Sequence, residues 1–205
     1  MRHIVKFRAL LVLILGSTLT AQNPSPWGRY SGPSSLGFYN LDRDTSLKSL
    51  LDHFGAKPAG RDTYCFADAR RGLYLYARPM DDQSGRVAEV LLSSFPNCKG
   101  ISINSTTIEP AIWRTPEGIG IGSTKDDVVR AYHKPVYVKK LEPKNDLGVI
   151  AGIKSAGASG ISVGDFSYLY SCLLNVKEGC TDDGRAAQMG FRGGKLIWIR
   201  VSNSE

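Results

Sequence analysis

Histidine is scarce, with three in 205 residues, and the four cysteines never fall as Cys-x-x-Cys, so the spacing of a zinc site is missing. No serine sits in a Gly-x-Ser-x-Gly setting. The stretch Gly152 to Gly160 lacks the Gly-Lys-Ser/Thr order that would place a lysine on phosphates. No dense block of lysine and arginine exists; Arg70-Arg71 is only a pair and reads as a solvated turn. The acidic pairs Asp81-Asp82 and Asp182-Asp183 lack the alternating oxygen ligands of a calcium loop and read as turn formers. These absences leave no metal, no cofactor and no identifiable catalytic residue, and they argue against a nucleic-acid partner.

The N-terminus carries Arg2, Lys6 and Arg8, then an unbroken apolar run from Ala9 to Leu15 and small and polar residues through Ala21. That run is too short to span a bilayer, and no stop-transfer pattern follows. The expectation is a signal peptide over 1–21, cleaved near Ala21, with a permanent N-terminal anchor as the opposing reading. Cleavage would leave 184 of the 205 residues, enough for one core or two small ones. The three basic residues lost account for part of the formal +7, leaving +4. No cysteine precedes Cys65, so no lipid-bearing residue is placed for anchoring. The expected compartment is the periplasm or outside the cell, with no stable membrane anchor after cleavage.

Cys65, Cys98, Cys172 and Cys180 form an even set, which in an exported chain suggests disulfides with three possible connectivities. Two fall in each half, which favours Cys65–Cys98 and Cys172–Cys180.

What is present is a repeat. Asp44 to Pro58 and Gly118 to Pro135 each contain a hydroxyl cap, a short amphipathic helix, a terminal aromatic and a Lys-Pro stop. Leu47, Leu50, Leu51 and Phe54 make one apolar helix face, and Val128, Val129 and Tyr132 take the last three places in the second copy. Thr45 or Ser46 caps the first helix, Ser123 or Thr124 the second, and Ser123 with Asp126 has a capping-box spacing. His53 and His133 lie at the two helix ends, where the helix dipole explains them without catalysis.

After each helix the period falls to two, which predicts strands near 62–68, 72–78 and 86–94, and then near 136–141, 165–174, 185–192 and 195–202. Gly193-Gly194 is a hairpin signal. Gly85 to Ser94 aligns with Gly194 to Asn203, which puts Ala88, Val90 and Leu92 with Ile197, Ile199 and Val201 on the helix-facing row.

The expected fold class is α+β, with two tandem helix-plus-antiparallel-sheet units and the helices on one face of the sheet. The expected divisions are an irregular lead-in over 22–38, repeat unit 1 over 39–109, and repeat unit 2 over 110–205 with a loop inserted at 142–164.

The residues Ile121-Gly122-Ser123-Thr124-Lys125 through Val128-Val129, Tyr132 and Pro135 resemble the beta-lactamase-inhibitor-like fold and the small outer-membrane lipoproteins of the barrel-assembly machinery. The copy at Thr45 to Pro58 matches more loosely. The resemblance implies a binding role, with two units side by side forming a larger sheet whose face away from the helices is open. On that face Tyr74, Tyr76, Tyr168, Tyr170, Trp198 and Arg200 are the candidate partner surface. The functional expectation is an exported, non-enzymatic protein-binding module, inhibitor-like or envelope-associated, with a protein partner. The alternatives are a secreted hydrolase with unidentified catalytic residues and a structural envelope component.

Overall fold

Alternating apolar residues between glycine-bearing turns make strand the main regular structure of the described residues. The computed structural model describes residues 32–40, 45–57, 63–80, 84–96, 98, 101–133, 135, 137–141, 164–171 and 185–203. The expected signal peptide at 1–21, most of the expected lead-in, Pro58, Asp81-Asp82, positions 142–163 of the expected loop, the expected Cys172–Cys180 pair and Asp182-Asp183 lie outside the described residues. The elements are β1 (Ser35–Leu36), β2 (Tyr39–Asn40), α1 (Leu47–Phe54), β3 (Tyr64–Asp68), β4 (Leu73–Pro79), β5 (Val87–Ser93), β6 (Ile103–Ser105), α2 (Lys125–Tyr132), β7 (Tyr137–Lys140), β8 (Phe166–Ser171), β9 (Arg185–Arg192) and β10 (Lys195–Asn203).

Eight strands form one sheet in the order β6-β3-β4-β5-β10-β9-β8-β7, and β1 with β2 makes a separate two-stranded ribbon. All neighbours in the large sheet are antiparallel except β6, which runs parallel to β3. The expected α+β class with two helix-plus-sheet units is therefore corrected. The described chain is predominantly β, with two eight-residue helices and a continuous sheet. The physical reason lies at the centre, where β5 and β10 pair along five positions from Trp198↔Ser93 to Ser202↔Glu89 and the backbone ladder runs on without a break.

Both helices bury their apolar residues against one face of this sheet. Leu50 and Leu51 of α1 and Val128 and Tyr132 of α2 share a single core cluster with Phe66, Leu75, Val90, Leu92, Met189, Phe191, Ile199 and Val201. Each fully buried leucine contributes about 1.5–3 kcal/mol by transfer from water.

Each helix start is tied back to a hairpin or turn glycine. Leu47 N–H donates to the Gly85 carbonyl at 2.8 Å and Lys125 N–H to the Gly194 carbonyl at 3.3 Å, which satisfies one free amide of each first turn. Ser46 is the N-cap of α1 but makes no side-chain cap bond, and Gly55 closes the helix in the left-handed region. In α2 the capping box is Thr124 with Asp127, one residue on from the expected Ser123 and Asp126.

The seven expected strands are found within a few residues of their anticipated bounds, and the β9–β10 hairpin turns through Gly193 and Gly194 at φ 54° and 74°. The helix-facing row needs one correction. Val90, Leu92, Ile199 and Val201 face the helices, but Val87 and Leu196 take the places expected for Ala88 and Ile197. Register breaks in both hairpins explain this. Pro79 opposes Val87 while Arg78 opposes Glu89, which leaves Ala88 unpaired with β4, and a break between Leu196 and Trp198 leaves Ile197 unpaired with β9. One extra residue in a strand reverses the facing of what lies beyond it.

Candidate functional site

The six residues expected on an open sheet face do not form one surface. Tyr168 and Tyr170 point to the helix side, with Phe166, because alternate residues of β8 share a face. Tyr168 packs on Phe191 and Tyr170 edge-on to Tyr132, and the Tyr170 hydroxyl donates to the His133 carbonyl at 3.3 Å. Trp198 and Tyr76 do lie on the far face, but in a second buried cluster with Leu91 and Leu141, against which Phe95 and Ile101 also pack. Trp198 is 0 % exposed and Arg200 8 %. Only Tyr74 is half-buried. The open, curved docking face is thus replaced by a covered one. Trp198 fits because its register partner is Gly190, where any Cβ would overlap the indole ring.

Arg200 belongs to a charged cluster on the same face. Its Nη2 donates to Glu89 Oε2 at 2.6 Å, and Arg78 Nη2 lies 3.8 Å from the same oxygen. Glu89 is on β5 and Arg200 on β10, so the ion pair spans the central strand pair. Glu89 Oε1, Arg78 Nε, Arg200 Nε and Gln188 Oε1 are buried without a hydrogen-bond partner. Two guanidinium groups around one carboxylate repel a metal cation, and the arrangement serves as a latch across the sheet.

The remaining charged groups have local structural work. Asp68 ends β3 and accepts from Ile108 N–H at 2.9 Å, Arg71 N–H at 3.1 Å and Arg71 Nη1 at 2.8 Å. The Ile108 backbone bond, then the Arg71 side chain, pull its carboxyl down from 3.8 to about 2. Asp127 is lowered by the Thr124 side-chain hydrogen bond of the capping box. Burial raises the phenols of Tyr39, Tyr76 and Tyr170, and the Tyr39 hydroxyl donates to the Ala88 carbonyl at 2.9 Å. Tyr132 bonds through its hydroxyl to Thr115 and Glu117, fastening α2 to the preceding loop. His133 caps α2 at φ 60° and ψ −158°, a region that favours glycine. Among the described residues no group of three His, Cys, Asp or Glu side chains is placed to hold a metal ion. No helix among them is long and apolar enough to cross a membrane.

A feature outside the expected surface reaches solvent. Five rings run outward from the core: Phe66 stacks on Phe54 at 4.2 Å, Phe54 on Trp113 at 5.8 Å, Trp113 meets Phe38 edge-on at 5.7 Å, and Phe38 lies 4.3 Å from His53. Phe66 and Trp113 are buried, whereas Phe38 is 45 % exposed and Ile112, next to Trp113, 43 %. Gly37 lets the β1–β2 turn approach this closely. It has φ +59°, and a Cβ there would meet Trp113 at 2.5 Å. Its N–H donates to the Arg114 carbonyl at 3.1 Å, which fixes the turn to the 112–114 segment. Sequence reasoning missed this corner because Phe38 fell inside a Pro/Ser/Gly-rich lead-in. The available signal was the run Leu36-Gly37-Phe38-Tyr39, a glycine turn flanked by large apolar residues.

The disulfide expected in the first half is present: Cys65 on β3 joins Cys98, with Cα atoms 5.9 Å apart. No family model, curated protein or solved structure matches the chain. The resemblance to the inhibitor-like and barrel-assembly families therefore stands on the short helix motif alone.

Proposed function

We propose that the chain is an exported, non-enzymatic protein-binding module whose docking surface is the corner made by Phe38, His53 and Ile112. The observation that carries this reading is the half-exposed Phe38 on the solvent side of a packed ring network. A ring held from beneath by Trp113 and His53 loses little further freedom when a partner covers it. Aromatic groups of this kind dominate protein interfaces because they bury large apolar area at low entropic cost. Export is supported by the Cys65–Cys98 disulfide, since such bonds persist in oxidising compartments.

The test is affinity capture from the native envelope or secreted fraction, comparing the wild type with Phe38→Ala/Ile112→Ala. Both side chains are about half exposed, so the double variant should keep its fold and lose about 1.5–3 kcal/mol. Loss of the captured partner supports the reading. Undiminished capture by the variant removes the corner. A hydrolytic turnover that disappears on replacing His53 or His133 overturns the non-enzymatic reading itself.

A further inference from the structure

The outer strand β7 carries exposed Val138, Lys139 and Lys140, and Val138 is 51 % exposed. Among the described residues β7 is paired on one side only, with β8. Alternate backbone groups of such a strand point away from the sheet and can pair with another strand. Lys140 lies opposite Phe166 and Lys139 opposite Ser167, so the two lysines flank the strand on opposite faces. A third ammonium stands beside them: Lys125 Nζ lies 5.9 Å from the centre of the Phe166 ring.

No described carboxylate pairs with these lysines. Among the described residues, the acid beside Phe166 is Asp165, whose Oδ2 accepts from Gly193 N–H of the β9–β10 hairpin at 2.7 Å. Asp126, the other neighbouring acid, is exposed beside Lys125 in the first turn of α2. The opposite edge differs: β6 has no charged residue, and its Asn104 side chain is turned back to donate to the Cys65 carbonyl at 3.1 Å.

We propose that β7 is a docking edge for an extended acidic segment of a partner protein, which adds to the sheet as a further strand. The lysines repel a second copy of this edge, since two β7 strands side by side would oppose like charges. The same lysines attract a strand of carboxylates, and Val138, on the face of Lys140, supplies an apolar contact. The inference rests on the protein-binding reading above but uses a different surface.

The probe is the peptide acetyl-Val-Glu-Glu-Val-Glu-Glu-Val-amide, which as a strand carries carboxylates on both faces, added to the isotopically labelled full chain and followed by amide chemical shifts. A peptide with lysine in place of each glutamate is the control. The expected result is shift changes confined to 137–141 and 166–171 with the acidic peptide and none with the basic one. Binding should weaken with added salt, because exposed charges are screened. Lys139→Glu/Lys140→Glu should lose at least tenfold in affinity for the acidic peptide and gain binding of the basic one, with the rest of the spectrum unchanged.

Equal binding of both peptides, shifts elsewhere, or no shifts at millimolar peptide overturns the proposal. Concentration-dependent shifts at β7 without peptide make the occupant a second copy and overturn it too. If the peptide fails while partner capture persists, only this edge is lost. If the peptide binds while capture does not depend on Phe38 and Ile112, the corner fails and this edge stands.

Discussion

Glu89 is 0 % exposed between Arg200 and Arg78, so removing it leaves buried positive charge without its counter-ion. Glu89→Ala should cost about 3–5 kcal/mol, the usual range for breaking a buried pair, as a lowered midpoint in urea unfolding. Replacing Glu89 and Arg200 together by leucine and methionine should cost less, because the buried Arg200 leaves with its counter-ion and only Arg78, 31 % exposed, loses one. A second residue-scale expectation concerns acid. The carboxyl of Asp68 is held down to about 2, below its ordinary 3.8, so the folded state binds this proton less readily than the unfolded chain. Its stabilisation is fully present above about pH 4 and is lost as pH falls from about 4 towards 2. Asp68→Asn should flatten that part of the stability–pH curve in unfolding measured between pH 2 and 5. Neither group was legible in the sequence, since burial of Glu89 depends on which strand lies beside β5.

At the scale of elements, the two helices share a pattern but hold their ends differently. Thr124 and Asp127 exchange bonds in a capping box, while Ser46 makes no side-chain cap bond and α1 relies on Leu47 N–H to the Gly85 carbonyl. Thr124→Ala should therefore cost about 1 kcal/mol, and Ser46→Ala only a few tenths, compared by thermal unfolding. The strands were legible because alternation and glycine turns mark them locally. Three short ones were not: β1 and β2 have two residues each, and β6 has three in a parallel pairing with no alternation to show. Facing was legible where alternation ran unbroken, as at Val90, Leu92, Ile199 and Val201. It failed at Ala88 and Ile197, where an unpaired residue depends on the partner strand.

For the whole molecule, the decisive difference from expectation is that both sheet faces are covered over the central strands. Ile199 and Val201 are buried on the helix side, and Trp198, Leu91 and Glu89 on the other. Tyr168, Tyr170, Trp198 and Arg200 had the composition of an interface, yet composition does not say whether a strand's second face meets solvent or other side chains. Among the described residues the exposed large apolar side chains lie at the margins instead: Phe38 and Ile112 at the aromatic corner, Ile103 on β6 and Val138 on β7. Recognition is accordingly proposed at corner and edge, with the sheet as their support.

That claim is tested most directly by photo-crosslinking in the native host, with benzoylphenylalanine placed at position 38 and, as a control, at position 130. Arg130 is exposed on α2 and takes no part in the ring contacts. The account predicts a discrete crosslinked partner from position 38 and none from position 130. No adduct at position 38, or the same adducts from both positions, would contradict it.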